Sequence, residues 1–305
     1  GTIQSLTPEI LLGLTATPDR TDGAGILALC EDNEVYRFDL LAAIDGKFLC
    51  PFHYFGIADT TVDYQEIPWR NARFDPDALE SHLATLNRAQ HAYSEWQKRK
   101  QERTLAFCVS QKHADFMAQE FAKRGVSAVS VHGGSKVTRL EAIDGLQSGD
   151  FQVVFSVDLF SEGVDVPEID TVMMLRPTES RIMFLQQLGR GLRHAFGKSH
   201  VVVLDFIGNH RSFAHKPQAL VGWEPTPSEI RKFIAEYEAG TLALPGGCFI
   251  NIELRAIDFL KRLTQGDTLA DYDSLRGALG RRPTLVEFAR SGASIPRMRA
   301  SHGSW

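Results

Sequence analysis

The hydrophobic positions divide the chain into a long regular region and a tail of different texture. Between residues 77 and 206, short apolar runs alternate with amphipathic stretches. Runs such as Val201-Val202-Val203-Leu204 are continuous rather than interrupted by polar residues, which is typical of strands covered on both faces. The alternation therefore predicts an α/β fold, with a parallel sheet flanked by helices.

The same pattern places the individual elements. Helices are predicted at 77–100, 111–124, 136–147 and 180–193, and strands at 104–109, 127–132, 152–157, 171–175 and 200–206. Beyond a proline-rich linker near 223–227 the tail is predicted to be helical, because Thr226 to Glu229 and Thr284 to Glu287 have the spacing of capping boxes.

Composition narrows the class of protein. The net charge is −5, which does not by itself indicate a nucleic-acid-binding protein, and the four cysteines show no C-x-x-C spacing. No apolar run approaches the ~20 residues that span a bilayer, and the start lacks a signal-peptide pattern. We therefore expect a cytoplasmic protein with no membrane partner.

A pair of arginines is the strongest chemical signal. The segment Gln186 to Arg193 reads Q-Q-L-G-R-G-L-R, and on a helix its two arginines would share one face. Guanidinium groups suit the charge of a transferring phosphoryl group. Each glycine costs a helix interior about 0.5–1 kcal/mol, so we expect the backbone to approach a ligand here. The alternative is a pair of surface arginines on an amphipathic helix.

Two further segments carry recognisable strings. Ser161 to Pro167 reads S-E-G-V-D-V-P and follows a predicted strand, while Leu14 to Pro18 reads L-T-A-T-P near the start. Taken alone, the first could be an ordinary glycine turn before a strand, and the second a strand end with a helix cap.

In this order and at these distances, the three strings resemble motifs VI, V and III of superfamily 2 helicases, of the restriction and repair type. The resemblance covers residues 1 to about 210. It implies a RecA-like fold for the α/β region, DNA more than RNA as the partner, and a bacterial source.

The resemblance also implies roles for individual residues. Arg190 and Arg193 would be catalytic arginine fingers reaching ATP between two RecA-like domains. The implied ATP-binding residues are Gly163, Asp165, Gln186, Gln187, Arg190 and Arg193. The residues implied to couple nucleotide state to nucleic acid are Thr15, Thr17 and Glu162.

Nucleic acid would contact the carboxyl ends of predicted strands, where open α/β sheets bind ligands. The implied contacts are Ser110, His132, Gly133 and Ser156. Ser110 also has the position of a helix N-cap, which is an alternative role for its hydroxyl.

The sequence contains neither G-x-x-x-x-G-K-[ST] nor a D-E-x-x box; Gly133 to Thr138 has glycines and a lysine at the wrong spacing. We therefore expect this chain alone not to hydrolyse ATP. Mg²⁺ would be held mainly by a first RecA-like domain that the chain lacks, and we predict no metal ligands here.

Four parts are predicted. They are a remnant of a first RecA-like domain (1–45), a connecting segment (46–76), a second RecA-like domain (77–218) and a helical C-terminal extension (219–305), which we expect to be truncated. From about Leu244 the extension resembles an uncharacterised domain found behind such helicases, some of which begin with a phospholipase-D-like nuclease domain. Its arginines could touch DNA or a partner, or form a solvated helical face.

The predicted function is that of the C-terminal part of an ATP-dependent helicase or translocase. The alternative is a non-catalytic module, from a degenerate motor, that binds nucleic acid or a partner. A nuclease is disfavoured because no carboxylates or histidines are clustered at metal-ligand spacing.

Overall fold

The computed structural model describes residues 13, 33–36, 38–70, 73–157, 166–177, 181–213, 216–222, 226–264, 272, 275–276 and 281–290. The chain forms two compact units, Gly1–Asp39 and Leu40–Trp305. In the first unit, the rings of Tyr36 and Phe38 stack with centroids 6.0 Å apart. The sheet, its helices and the sites described below belong to the second unit.

A seven-stranded sheet forms the centre of the second unit. Its strands run in the order β5-β6-β4-β7-β8-β1-β9, and every pair is parallel. The strands, including a separate antiparallel pair formed by β2 and β3, are β1 (Phe52–Ala58), β2 (Trp69–Arg70), β3 (Arg73–Phe74), β4 (Thr104–Phe107), β5 (Ala128–Val131), β6 (Val153–Ser156), β7 (Thr171–Met174), β8 (Val201–Ile207) and β9 (Phe249–Ile252).

Helices connect the strands and cover the sheet. They are α1 (Leu40–Asp45), α2 (Pro76–Leu83), α3 (Leu86–Arg99), α4 (Gln111–Ala122), α5 (Arg139–Ser148), α6 (Arg181–Gly189), α7 (Lys216–Ala219), α8 (Pro227–Ala239), α9 (Leu254–Thr264) and α10 (Leu285–Arg290). Within the described ranges, no helix has both the length and the apolar character needed to cross a membrane.

The core lies on both faces of the sheet. All seven residues of β8 are buried, and successive side chains alternate between two hydrophobic clusters: Val203 belongs to one and Leu204 to the other. Burying one such side chain stabilises the fold by roughly 1.5–3 kcal/mol. The continuous apolar runs therefore have the expected physical cause, and the α/β prediction is confirmed.

Two predicted helix bounds are corrected by capping. The helix expected at 77–100 is two helices, because the Thr85 hydroxyl accepts a hydrogen bond from the Arg88 backbone N–H and starts α3 anew. The helix expected from 136 begins at Arg139, where Thr138 and Glu141 form a capping box.

The sheet also extends beyond the domain bounds expected from sequence. β1 lies in the segment expected to connect two domains, where a β-rich stretch at 51–57 is predicted, and it pairs with β8 from Phe52↔Val201 onward. β9 lies in the extension expected to be helical, and it pairs with β1 from His53↔Phe249. Strand pairing joins residues that are far apart in the chain, so the local apolar patterns gave no indication of the strands that β1 and β9 join.

Candidate nucleotide and nucleic-acid sites

The predicted arginine pair lies just beyond α6, at the amino edge of the sheet. α6 ends at Gly189, and the chain continues in a tight turn in which Arg190 N–H donates to Gln187 O at 3.3 Å and Gly191 N–H to Leu188 O at 3.0 Å. The expectation that Arg190 and Arg193 share a helical face is therefore wrong. Both side chains are half-buried, and they belong to an irregular segment, here called the arginine turn (residues 190–193).

The two glycines of this region have different reasons to be glycine. A Cβ on Gly191 would lie 2.5 Å from Val201 Cγ2 and 2.9 Å from Val172 Cγ2, both at the beginnings of strands. A Cβ on Gly189 would meet nothing within 4 Å. Gly191 therefore allows the arginine turn to press against β7 and β8, whereas Gly189 marks the helix end.

Backbone carbonyls of the arginine turn are held by groups from elsewhere in the chain. Cys50 N–H donates to Leu192 O at 2.8 Å, and the Cys50 thiol donates to Gly191 O at 3.5 Å. Burial raises the pKa of Cys50, so the thiol keeps its proton as a donor. Lys198 Nζ donates to Gly191 O at 2.5 Å and to Arg193 O at 2.9 Å.

Of the remaining residues predicted to bind nucleotide, two lie in α6 and the others lie outside the described residues. On α6, Gln187 is fully buried and Gln186 is half-buried. The predicted residues Gly163 and Asp165, and the coupling residues Thr15, Thr17 and Glu162, lie outside the described residues.

The predicted nucleic-acid residues converge on the opposite, carboxyl edge. Ser156 ends β6, and in the sheet register it pairs with Phe107 of β4 on one side and Val131 of β5 on the other. Ser110 and His132 follow those two strands within three residues. The structure therefore brings Ser110, His132 and Ser156 to the ends of three adjacent strands.

Ser110 is the N-cap of α4, which is the alternative role that its position in the sequence suggested. Its hydroxyl accepts a hydrogen bond from His113 N–H at 3.1 Å and caps α4. A hydrogen bond from Ser110 also helps to hold the pKa of the Glu80 carboxyl below its ordinary value. Contact with nucleic acid stays a prediction for this residue.

The His132 ring is fixed within its own turn. Gly134 N–H donates to Nδ1 at 3.2 Å, so Nε2 carries the proton that it shares with Asp115 Oδ1 at 2.9 Å. Although burial raises the pKa of Asp115, hydrogen bonds from Ser130 and His132 lower it overall. Gly133 is exposed, and a Cβ there would meet nothing within 4 Å, so the tip of the turn offers backbone rather than side chain to a ligand.

Ser156 is fully buried, and among the described residues its hydroxyl has no hydrogen-bond partner. An unpartnered buried hydroxyl costs roughly 1–3 kcal/mol. The predicted phosphate contact requires the residues that cover this hydroxyl to move.

A buried polar cluster at the carboxyl edge was missed by the sequence analysis. Arg88 Nε donates to Asp59 Oδ2 at 2.9 Å, its Nη2 donates to Leu175 O at 2.8 Å, and its Nη1 lies 3.3 Å from His113 Nε2. Tyr64 donates its hydroxyl to the same Asp59 oxygen at 2.8 Å. The available signal was the position of Arg88 one turn before Ala92 on the apolar face of α3.

The charge state of this cluster follows from its surroundings. Burial raises the pKa of Asp59, but Arg88 and the hydrogen bonds from Thr61 and Tyr64 outweigh that effect and lower it. Burial and the nearby Arg88 guanidinium lower the pKa of His113 well below its ordinary value. Arg88 and Asp59 therefore form an ion pair beside a neutral imidazole.

A second buried ion pair joins α7 to β8, the strand beside β1 in the sheet. Lys216 Nζ donates to Asp205 Oδ1 at 2.7 Å, both side chains are fully buried, and the Tyr54 hydroxyl donates to Asp205 Oδ2 at 2.7 Å. In the carboxyl half of the sheet, the first ion pair therefore joins α3 to the end of β1, and the second joins α7 to β8.

Comparison with known proteins finds one matching protein family and several similar proteins. Residues 83–195 match the family described as the helicase conserved C-terminal domain. The chain is 30% identical over 203 residues to the protein named "Putative ATP-dependent helicase IRC3" of Saccharomyces cerevisiae, an alignment covering 65% of this chain and 29% of that protein. It is 30% identical over 106 residues to UvrABC system protein B of Thermosynechococcus vestitus, covering 33% of this chain and 16% of that protein.

Among solved structures, the ATP-dependent type ISP restriction-modification enzyme LlaBIII bound to DNA aligns with a TM-score of 0.46 and 15% identity, over 83% of this chain and 21% of that chain. The parallel sheet and the family match, rather than this alignment, define the class. Residues 83–195 therefore match a helicase C-terminal domain, and the parallel sheet with its flanking helices has the RecA-like α/β arrangement. It spans less than a third of the length of the two relatives given above.

Proposed function

We propose that this chain is the second RecA-like half of an ATP-driven motor that moves along or unwinds nucleic acid, with DNA rather than RNA as its partner. The observation that carries the proposal is the arginine turn, which lies inside the matched helicase domain and is fixed by its backbone to the amino edge of the sheet. A pure binding module would have no use for paired arginines held in this way.

ATP would bind between this domain and a first RecA-like domain. Arg190 and Arg193 would act as arginine fingers, and Gln186 or Gln187 would help to link nucleotide state to domain closure. Gly163 and Asp165 would approach the nucleotide, as the resemblance to the superfamily implies.

The first domain would supply the phosphate loop and hold Mg²⁺. Within the described residues, no cluster of three or more His, Cys, Asp or Glu side chains is placed to bind a metal ion. We propose that the chain alone does not turn over ATP, since its sequence holds neither the phosphate loop nor a D-E-x-x box.

Nucleic acid would run along the carboxyl edge, past the N-terminus of α4 and the His132 turn. Lys112 is exposed in the first turn of α4, where it pairs with Glu80 at 3.2 Å, and Lys136 is exposed beside the His132 turn. Both lysines suit a phosphate backbone. Thr15, Thr17 and Glu162 would transmit nucleotide state to this edge. We propose a bacterial, cytoplasmic protein of defence, restriction or repair.

The test measures ATP hydrolysis by a protein that joins this chain to a first RecA-like domain, with and without single- and double-stranded DNA and RNA, and by this chain alone. We expect stimulation by DNA in the joined protein and no turnover in the chain alone. A preference for RNA would correct the choice of partner.

Two outcomes would change the conclusion. No hydrolysis by the joined protein with any nucleic acid would favour a non-catalytic binding module. Hydrolysis by the chain alone would overturn the division of labour between two domains.

A further inference from the structure

The lysine that follows the arginine turn has an unusual environment. Lys198 Nζ lies 2.9 Å from Pro167 O, 2.5 Å from Ile169 O, 2.5 Å from Gly191 O and 2.9 Å from Arg193 O. An ammonium group has three N–H donors, so four carbonyl oxygens at these distances occupy all of them.

The four carbonyls belong to two segments that have no backbone hydrogen bond to each other in the described structure. Gly191 and Arg193 are in the arginine turn, while Pro167 is the last residue of the S-E-G-V-D-V-P string and Ile169 lies between that string and β7. A single cation therefore joins the two strings to which the helicase resemblance assigns the nucleotide site.

The ammonium is not placed to bind phosphate. Gly197-Lys198-Ser199 has the last three letters of a phosphate loop, but Gly197 has a φ of +77° in a turn that leads into a strand, whereas a phosphate loop leads into a helix. Half-burial lowers the pKa of Lys198, an effect that nearby Cys50, Asp170 and Glu168 oppose. Within the described ranges no carboxylate forms an ion pair with it.

We propose that Lys198 is the positioning residue of the arginine turn, holding it against the end of the S-E-G-V-D-V-P string so that both reach the nucleotide as one unit. The effect on catalysis rests on the proposed function. The contact by which Lys198 holds the two segments together, here called the clamp, can be tested without that function. Displacements of about 1 Å at a catalytic group can cost about a hundredfold in rate.

The clamp is tested first in the chain by itself. Lys198→Met removes the donors while keeping the length of the side chain, and we expect faster hydrogen exchange in peptides covering 186–193 and 166–170, with little change elsewhere. Lys123→Met is the matched control, because Lys123 makes a surface ion pair with Glu120 on α4 at 2.6 Å. Unchanged exchange in the Lys198 variant would overturn the clamp, whatever the ATPase assays show.

The effect on catalysis is tested in the joined two-domain protein below its unfolding temperature. For Lys198→Met we expect kcat to fall about a hundredfold with little change in KM for ATP or in DNA affinity, and Lys198→Arg to recover part of kcat. A kcat that falls only in proportion to the folded fraction, or not at all, would overturn the positioning role. If the methionine variant does not fold, Lys198→Gln replaces it, since the amide keeps two N–H donors without the charge.

These outcomes separate the two proposals. A wild-type protein without nucleic-acid-stimulated turnover would defeat the proposed motor function, while the exchange experiment would still decide whether Lys198 clamps the turn. Normal stimulated turnover in both wild type and Lys198→Met would keep the motor and reject the positioning residue.

Discussion

The two edges of the sheet are built in opposite ways. At the carboxyl edge, polar side chains are used to hold the fold: Ser110 caps α4, His132 pairs with Asp115, and Arg88 pairs with Asp59. At the amino edge, the backbone of the arginine turn is held instead, through the carbonyls that accept from Cys50 and Lys198.

The difference shows that polar residues near a strand end need not act on a ligand. A side chain whose hydrogen bonds are satisfied within the fold contributes chiefly to stability, because a ligand would have to replace those bonds. Hydrogen bonds to the carbonyls of a turn fix the course of its backbone. We therefore expect changes in the two arginine side chains at the amino edge to affect rate, and changes in the buried polar side chains at the carboxyl edge to affect stability.

The largest effect is expected from Arg193→Ala in the joined two-domain protein. Loss of an arginine finger should lower nucleic-acid-stimulated kcat by about 10³–10⁵-fold while ATP binding is largely kept. Steady-state ATPase assays and nucleotide binding measure this, with Arg255→Ala, an exposed arginine on α9, as control. Undiminished turnover would reject the finger assignment and with it the catalytic role of the amino edge.

Arg88→Met should act on stability instead. It leaves the Asp59 carboxylate buried without its partner, and breaking a buried pair in this way costs about 3–5 kcal/mol in the free energy of unfolding. Urea unfolding of the isolated chain measures the loss. The double variant Arg88→Met/Asp59→Asn should lose less than the sum of the single variants, and simple additivity would argue against the pair as the cause.

Substitutions of Gly189 and Gly191, on either side of Arg190, should differ by a smaller amount in their effect on stability. Gly191→Ala should lower the free energy of unfolding by about 1–3 kcal/mol, because its Cβ would overlap the stiff side chains of Val201 and Val172. Gly189→Ala should be neutral or stabilise by up to about 1 kcal/mol, since its Cβ meets nothing. Equal effects of the two substitutions would show that the turn is not pressed against the strands.

The smallest effect is a pH dependence from His113. Its pKa in the folded chain lies well below the ordinary 6.5, because burial and Arg88 disfavour the charged ring while Asp59 opposes them only in part. As the pH falls through about 6.5 the unfolded chain therefore takes up a proton that the folded chain does not, and stability drops by at most about 1.4 kcal/mol per pH unit.

Urea midpoints at pH 7.5 and 5.5 measure this drop, and His113→Asn should reduce the difference between the two midpoints. His200, whose pKa is also lowered by burial, contributes a smaller background that remains in the variant. An unchanged difference between the midpoints would place the titrating group elsewhere.

Local features could be predicted from the sequence with good success. The apolar runs that became β4, β6 and β8 lie within two residues of their predicted bounds, and the capping spacing at Thr284 is realised by reciprocal hydrogen bonds with Glu287. These features depend on residues a few positions apart, so a short window of sequence contains the information.

Other features depended on contacts between distant parts of the chain. α6 ends at Gly189 because Gly191 packs against β7 and β8. In addition, the thiol of Cys50, 141 residues away in the chain, donates a hydrogen bond to the Gly191 carbonyl. The role of Arg88 could be seen only once α3 was placed beside Asp59. Ser156 has the strand-end position that was expected, but its burial could be seen only once the neighbouring strands were in place.

The sequence by itself determined the alternation of strands and helices, the capping box at Thr284 and the presence of the paired arginines, because periodicity, caps and motif letters act over short distances. Only the tertiary structure decided that the arginine turn and the predicted nucleic-acid residues occupy opposite edges, and that Arg88 and Lys198 turn inward. The strand order of the sheet sets these arrangements. Strand order depends on pairings between residues far apart in the chain, which no local pattern specifies.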